Sequence, residues 1–143
     1  MMKLTIVFML TALIAYLFYR PKNKPAEIDP RLQSYVDDFI REANSRSIKV
    51  QDLLKGKRIV SSTTMQDRGL SIGKNVFVRE DVIETANADH LRYLMFHELG
   101  HNLFGYPHSN DPQSIMAGGG VSADGKLKLS ETERINIFFT TGK

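Results

Sequence analysis

The chain has 143 residues, of which 42% are hydrophobic and 24% are charged, an ordinary composition for a folded globular protein. This length allows one small domain, and we expect a monomer. The chain contains no cysteine, which excludes disulfide bonds and a cysteine-linked lipoprotein anchor.

The positive charge of the chain lies at its N-terminal end. The formal net charge is +3 and the sequence pI is about 9.2. Residues 1–26 hold four basic and no acidic side chains, whereas residues 27–143 hold 15 basic and 16 acidic ones. The larger part is therefore near neutral, and we predict no nucleic-acid binding. The basic stretch suits a neighbouring anionic lipid surface.

The N-terminal segment, residues 1–19, predicts a membrane helix. Residues 4–19 form an apolar run broken only by Thr5 and Thr11, which spans about 24 Å as a helix, slightly less than a hydrocarbon core of about 30 Å. The run ends in bulky residues rather than the small residues of a cleavage site, so an uncleaved anchor is favoured over a signal peptide. Residues 20–26 then read as a basic stem before a domain at 27–143.

The first part of that domain predicts a helix and a small sheet. Asp29 and Pro30 are typical of a helix start, and a stripe of apolar residues from Leu32 to Ala43 has helical spacing. The β-branched residues 58–65 predict a strand. Residues 70–72 and 76–78 flank a Gly-Lys-Asn turn and predict a hairpin.

The next helix, which Asn87 or Asp89 would cap, carries the motif His97-Glu98-Leu-Gly-His101. Residues four apart lie on one helix face, so the two imidazoles can bind one cation such as zinc. Glu98 lies beside that face, where a carboxylate can act as a general base toward water.

The residues beyond this helix continue the pattern of a catalytic zinc site. Gly105 suits a left-handed helix end that reverses the chain, which would bring His108 back toward the metal as third ligand. The run 108–116 reads His-Ser-Asn-Asp-Pro-Gln-Ser-Ile-Met.

Residues 88–139 resemble the metzincin zinc endopeptidases, and the closing part resembles their matrixin-type members. The family motif is H-E-x-x-H-x-x-G-x-x-H followed by a methionine turn. This chain has one residue more before the glycine, with Phe104 in the family's glycine position. The resemblance implies an α+β zincin domain, a short twisted sheet with an active-site helix, Zn²⁺ held by His97, His101 and His108, and Met116 below the metal.

The resemblance also implies where substrate lies. The edge strand of such a sheet pairs with an extended peptide, and residues 69–79 are the candidate here. The glycine-rich residues 117–120 stand where the family has a loop beside the specificity pocket. His90 reads as a solvated residue of the first helical turn, and Tyr106 as a packing residue whose hydroxyl could instead stabilise an oxyanion.

The final helix offers rival ligands. Ser130 and Glu133 make a capping box, and Ile135, Phe138 and Phe139 face inward. In gluzincin-type proteases a later glutamate is the third ligand, which keeps Glu131 and Glu133 open as alternatives to His108. Asp111 is a further alternative.

These observations predict a zinc metallopeptidase that hydrolyses peptide bonds in a protein or peptide substrate, with Glu98 as general base. The alternative is a non-catalytic, membrane-tethered module that binds zinc and a peptide. The positive-inside count favours a cytoplasmic domain. By analogy with the family we expect instead an anchored protein with its domain outside the cytoplasm, or a secreted one if the N-terminal segment is cleaved.

Overall fold

The structure, a computed structural model, describes residues 24–118 and 128–142, which form an α+β fold around a four-stranded mixed sheet. The predicted membrane segment lies outside the described residues, as do residues 20–23 of the stem. No helix within the described ranges is both long enough and apolar enough to span a bilayer. In chain order the elements are β1 (Glu27–Ile28), α1 (Gln33–Ser45), α2 (Gln51–Leu54), β2 (Arg58–Ser62), β3 (Gly69–Ile72), β4 (Asn75–Arg79), α3 (Glu80–Thr85), α4 (Ala88–Leu99), a π-helical turn (Gly100–Phe104) and α5 (Glu131–Thr141).

The strands lie in the order β1-β2-β4-β3. β1 and β4 run parallel to β2, whereas β3 runs antiparallel to β4 and forms one edge of the sheet. The predicted hairpin is confirmed, with Ile72 opposite Asn75 across a two-residue loop. The strand predicted at 58–65 is shorter, because its partner β4 ends at Arg79, opposite Ser62, and continues into α3.

The predicted apolar stripe of α1 is confirmed, since Leu32, Val36, Phe39 and Ala43 are fully buried. The helix itself begins later than predicted. Asp29 Oδ1 accepts the backbone N–H of Arg31 at 3.0 Å and so caps a turn that precedes Gln33.

Three helices meet in an aromatic core beneath the histidine motif. Phe39 of α1 lies with its ring centroid 5.0 Å from that of Phe96 in α4 and 5.3 Å from that of Phe139 in α5. Phe138 completes the cluster at 6.0 Å from both Phe39 and Phe96. Edge-on and tilted ring contacts of this kind add to the gain from burial, so α4 packs on a dense aromatic cluster.

The predicted caps of the last two long helices are confirmed. Asn87 Oδ1 accepts the backbone N–H of His90 at 2.8 Å, which begins α4. Ser130 and Glu133 form a reciprocal capping box at the start of α5. Both helices therefore begin at fixed residues.

Candidate metal site

The structure brings three imidazoles together at the end of α4. His97 lies in the last turn of the helix, His101 in the π-helical turn, and His108 on the chain that returns. The Nε2 atom of His97 lies 3.1 Å from that of His101 and 3.3 Å from that of His108. Ligands of a tetrahedral zinc at about 2.0–2.1 Å are separated by about 3.3 Å. The donor set therefore fits a metal ion.

The end of the helix that carries the motif is a wider, π-helical turn. Residues Gly100–Phe104 form this wider turn, and Gly105 follows in the left-handed region with φ 68° and ψ 23°. The backbone N–H of Tyr106 then donates to the carbonyl of Gly100 at 3.2 Å. A π-helical turn holds more residues than an α-helical turn, so the reversal toward His108 comes later than at a purely α-helical end.

Backbone carbonyls orient two of the three rings. The Nδ1–H of His97 donates to the carbonyl of Ile115 at 2.8 Å, and that of His101 to the carbonyl of Tyr106 at 2.6 Å. A carbonyl only accepts, so Nδ1 carries the hydrogen and the Nε2 lone pair points toward the common centre. Such outer hydrogen bonds fix tautomer and ring angle in metal sites.

The surroundings of these rings favour the neutral imidazole, which is the form that binds metals. Burial lowers the pKa of His97 to about 4, and the neighbouring histidines act in the same direction. Burial also lowers the pKa of His101. At neutral pH both Nε2 lone pairs are therefore available for a metal ion.

The segment after His108 folds back under the site. The backbone N–H of Ser109 donates to the carbonyl of Met116 at 2.7 Å, and Met116 is fully buried. A Cβ at Gly100 would lie 2.7 Å from Met116 Sδ, so only glycine leaves room for this methionine against the helix end. Met116 thus supports the base of the helix end.

Glu98 lies beside the histidines and is almost fully buried, with 5% of its surface exposed. Burial raises the pKa of its carboxyl to about 7, and the negative charge of Asp67 adds to the shift. A Cβ built on Gly69 would lie 2.6 Å from Glu98 Oε1. The edge strand therefore presses its backbone against the carboxylate, and a glycine permits that approach.

A cleft of about 540 Å³ runs past these groups. The three histidines and Glu98 form one side, and residues 67–71, which include most of the edge strand β3, form the other. The predicted edge covered residues 69–79, and the structure narrows it to Gly69–Ile72, because β4 is paired on both sides. The free edge of the sheet and the cluster of possible ligands thus face the same space.

The sequence did not predict that His90 and Tyr93 of α4 would line the cleft. His90 lines the cleft, whereas its position in the first helical turn predicted a solvated residue. Tyr93 also lines it, stacks on His97 with ring centroids 6.3 Å apart, and donates from its hydroxyl to the carbonyl of Ser114 at 3.1 Å. Their positions seven and four residues before His97 place them on one helix face, which is the signal that could have identified them.

The other candidates have structural partners. Tyr106 packs its ring against Phe104 and Phe138, with centroids 5.1 and 5.5 Å away. Glu131 pairs with Arg92, and Glu133 completes the capping box.

Asp111 caps a turn of the returning segment, where its Oδ1 accepts the backbone N–H of Gln113 at 2.9 Å. Within residues 24–118 and 128–142, the three histidines are the group of possible ligands close enough to share one ion.

No protein-family model, no curated protein and no solved structure matches this chain.

Proposed function

We propose that this chain is a zinc-dependent endopeptidase of metzincin-like design. The observation that carries the proposal is the convergence of three Nε2 atoms beside a buried carboxylate, in a cleft bordered by a free strand edge. Each part has a role in peptide hydrolysis, and the parts lie within one cavity.

Three histidine ligands support a catalytic zinc rather than a structural one. Structural zinc sites use four protein ligands, and catalytic sites use three. His97, His101 and His108 would hold the ion, and zinc held in this way would lower the pKa of a water to about 7 and polarise a carbonyl.

Glu98 would move the proton. A general base works best when its pKa lies near the working pH, and burial raises the pKa of Glu98 to about 7. The carboxylate takes a proton from the attacking water and delivers it to the departing amine. The contact of Glu98 with the backbone of Gly69 limits the positions that the carboxylate can take.

The edge strand would hold the substrate. β3 is paired with β4 on one side only, so its outward N–H and C=O groups can bond an extended peptide. This mode reads the backbone, which suits a protein or peptide substrate of varied sequence. Tethering of the domain to a membrane by residues 1–19 remains part of the proposal.

The test is zinc content and peptide cleavage for the full chain in detergent. The wild type is compared with Glu98→Gln, and with Glu84→Gln as a matched change at an exposed carboxylate on α3. We expect one zinc per chain in all three. Cleavage of a quenched peptide library should fall about 10²–10⁴-fold in Glu98→Gln alone, the usual contribution of a general base, and a chelator should abolish it.

The outcomes separate the candidate functions. Full zinc without cleavage in the wild type would favour the non-catalytic module that binds zinc and a peptide. Undiminished cleavage by Glu98→Gln would remove Glu98 from its role. A wild-type chain that binds no zinc would contradict the proposal as a whole.

A further inference from the structure

A second cavity of about 370 Å³ adjoins the cleft. His90 and Tyr93 line both spaces, so the two are separated by no more than these side chains. Arg134 and Ile135 of α5 form the far side of the second cavity, and Ile115 contributes from the segment before Met116. The two cavities are therefore adjacent, and a group of a peptide held in the cleft must pass His90 and Tyr93 to reach the second one.

The unusual group in this cavity is the guanidinium of Arg134. The residue is 8% exposed, and its Nε donates to the carbonyl of Gln113 at 2.8 Å. Within the described part of the chain, its Nη2 is buried and forms no hydrogen bond. Among the same residues, no carboxylate oxygen lies within 4.0 Å of the Arg134 guanidinium. A buried charge without an anion is costly, and such a donor usually has a partner.

The neighbouring charges do not neutralise Arg134. Glu131 and Arg92 also line the cavity, but they pair with each other, and Arg92 pairs further with Asp38. Asp89, which contributes to the lining, is exposed. Each carboxylate near the cavity therefore either pairs with another residue or faces solvent.

The guanidinium is held in a fixed position. Its Cζ lies 5.2 Å from the ring centroid of Tyr93, and that ring is itself held by the bond from the Tyr93 hydroxyl to Ser114. A planar guanidinium with free donors matches the two oxygens of a carboxylate. Because Nη2 has almost no exposed surface, the side chains that cover it must move aside when a carboxylate binds, whereas the guanidinium itself is already in place.

We propose that Arg134 binds a carboxylate of the substrate, so that the protein prefers peptides with an acidic group next to the bond in the cleft. This inference rests on the proposed peptidase function and adds a specificity-determining residue to it. The carboxylate can come from a glutamate or aspartate side chain, or from the C-terminus of a peptide.

The experiment uses paired quenched peptides that differ only in Glu against Gln, at each of three positions on either side of the central bond. A further pair compares a free C-terminus with an amidated one. For the wild type we expect kcat/KM to be about ten- to a hundredfold higher for one Glu peptide, the range for hydrogen bonds to a charged group. Preference confined to the free C-terminus would identify that source instead.

In Arg134→Gln, the ratio of kcat/KM for the Glu peptide to kcat/KM for the Gln peptide should be close to one. Arg134→Lys should retain part of the preference for the Glu peptide. Arg58→Gln is the matched control, because Arg58 pairs with Glu27 at the other end of the sheet, and its ratio should equal that of the wild type. A ratio near one in the wild type, with no effect of C-terminal amidation, would overturn the inference even if Arg134→Gln does not fold.

A binding measurement tests this inference independently of the peptidase function. The same peptides are titrated by fluorescence anisotropy into zinc-treated Glu98→Gln, which needs no turnover. Tighter binding of an acidic peptide, lost with Arg134→Gln added, supports the carboxylate site even if the wild type cleaves nothing. Equal binding of the Glu, Gln, free and amidated peptides would refute it even if the wild type is an active peptidase.

Discussion

Replacement of Gly69 by alanine tests whether the edge strand positions Glu98. The added Cβ would lie 2.6 Å from Glu98 Oε1, 2.8 Å from its Cγ and 2.9 Å from its Cδ. Favourable contacts between carbon atoms begin at about 3.5 Å, so strand and carboxylate must separate by about 0.6–0.9 Å. Both groups belong to packed elements, and neither can move freely.

This displacement should reduce both activity and stability, each by an amount comparable in free energy, since a hundredfold loss of rate is about 2.7 kcal/mol. A shift of about 1 Å in a reacting group can cost about 10²-fold in rate, and overpacking costs about 1–3 kcal/mol in unfolding free energy. We therefore expect kcat/KM for a cleaved peptide to fall about a hundredfold in Gly69→Ala. Zinc content should stay at one per chain, because the three atoms nearest to the added Cβ all belong to Glu98 and not to a histidine.

Gly56→Ala is the matched control for stability. Gly56 has φ 69° and a Cβ there would meet no atom within 4 Å, so alanine costs about 1–2 kcal/mol through its backbone conformation alone. Both variants should lower Tm, and only Gly69→Ala should lower kcat/KM at a temperature well below Tm. Wild-type kcat/KM in Gly69→Ala would refute the reasoning that the strand limits the position of Glu98.

The remaining predictions concern the third ligand and acid stability. His108→Ala should weaken zinc binding by more than the about 10–100-fold that is typical when an outer-shell partner is lost, whereas Asp111→Asn should not. Zinc affinity is measured by competition with a chelator. Unchanged affinity in His108→Ala would identify Asp111, Glu131 or Glu133 as the third ligand. The bonds that Asp29 accepts from Arg31 lower the pKa of its carboxyl to about 2, below its usual value, so they stabilise the fold above about pH 4 and are lost as pH falls toward 2. The Tm difference between metal-free wild type and Asp29→Asn should be constant from pH 7 to pH 5 and shrink below pH 4, and a difference that does not change with pH would contradict this.

Local patterns in the sequence were sufficient for the elements that carry the site. The stripe in α1, the hairpin of β3 and β4 and the caps at Asn87 and Ser130 all depend on residues close in sequence. Periodicity and capping act over a few residues, so the chain itself specifies them. The start of α1 was misplaced because Asp29 can cap either a turn or a helix, and the choice depends on the chain that follows.

The spacing of the motif by itself determined that two imidazoles share a helix face and that a glycine reverses the chain. The other features of the candidate site were decided only by the tertiary structure. The π-helical turn, the Nδ1 bonds to Ile115 and Tyr106, and the contact of Gly69 with Glu98 join residues whose separation in sequence has no fixed period. The environment of Arg134 likewise depends on how α5 packs against α4. Burial and long-range contacts are properties of the packed chain, and for that reason the second cavity could not be read from the sequence.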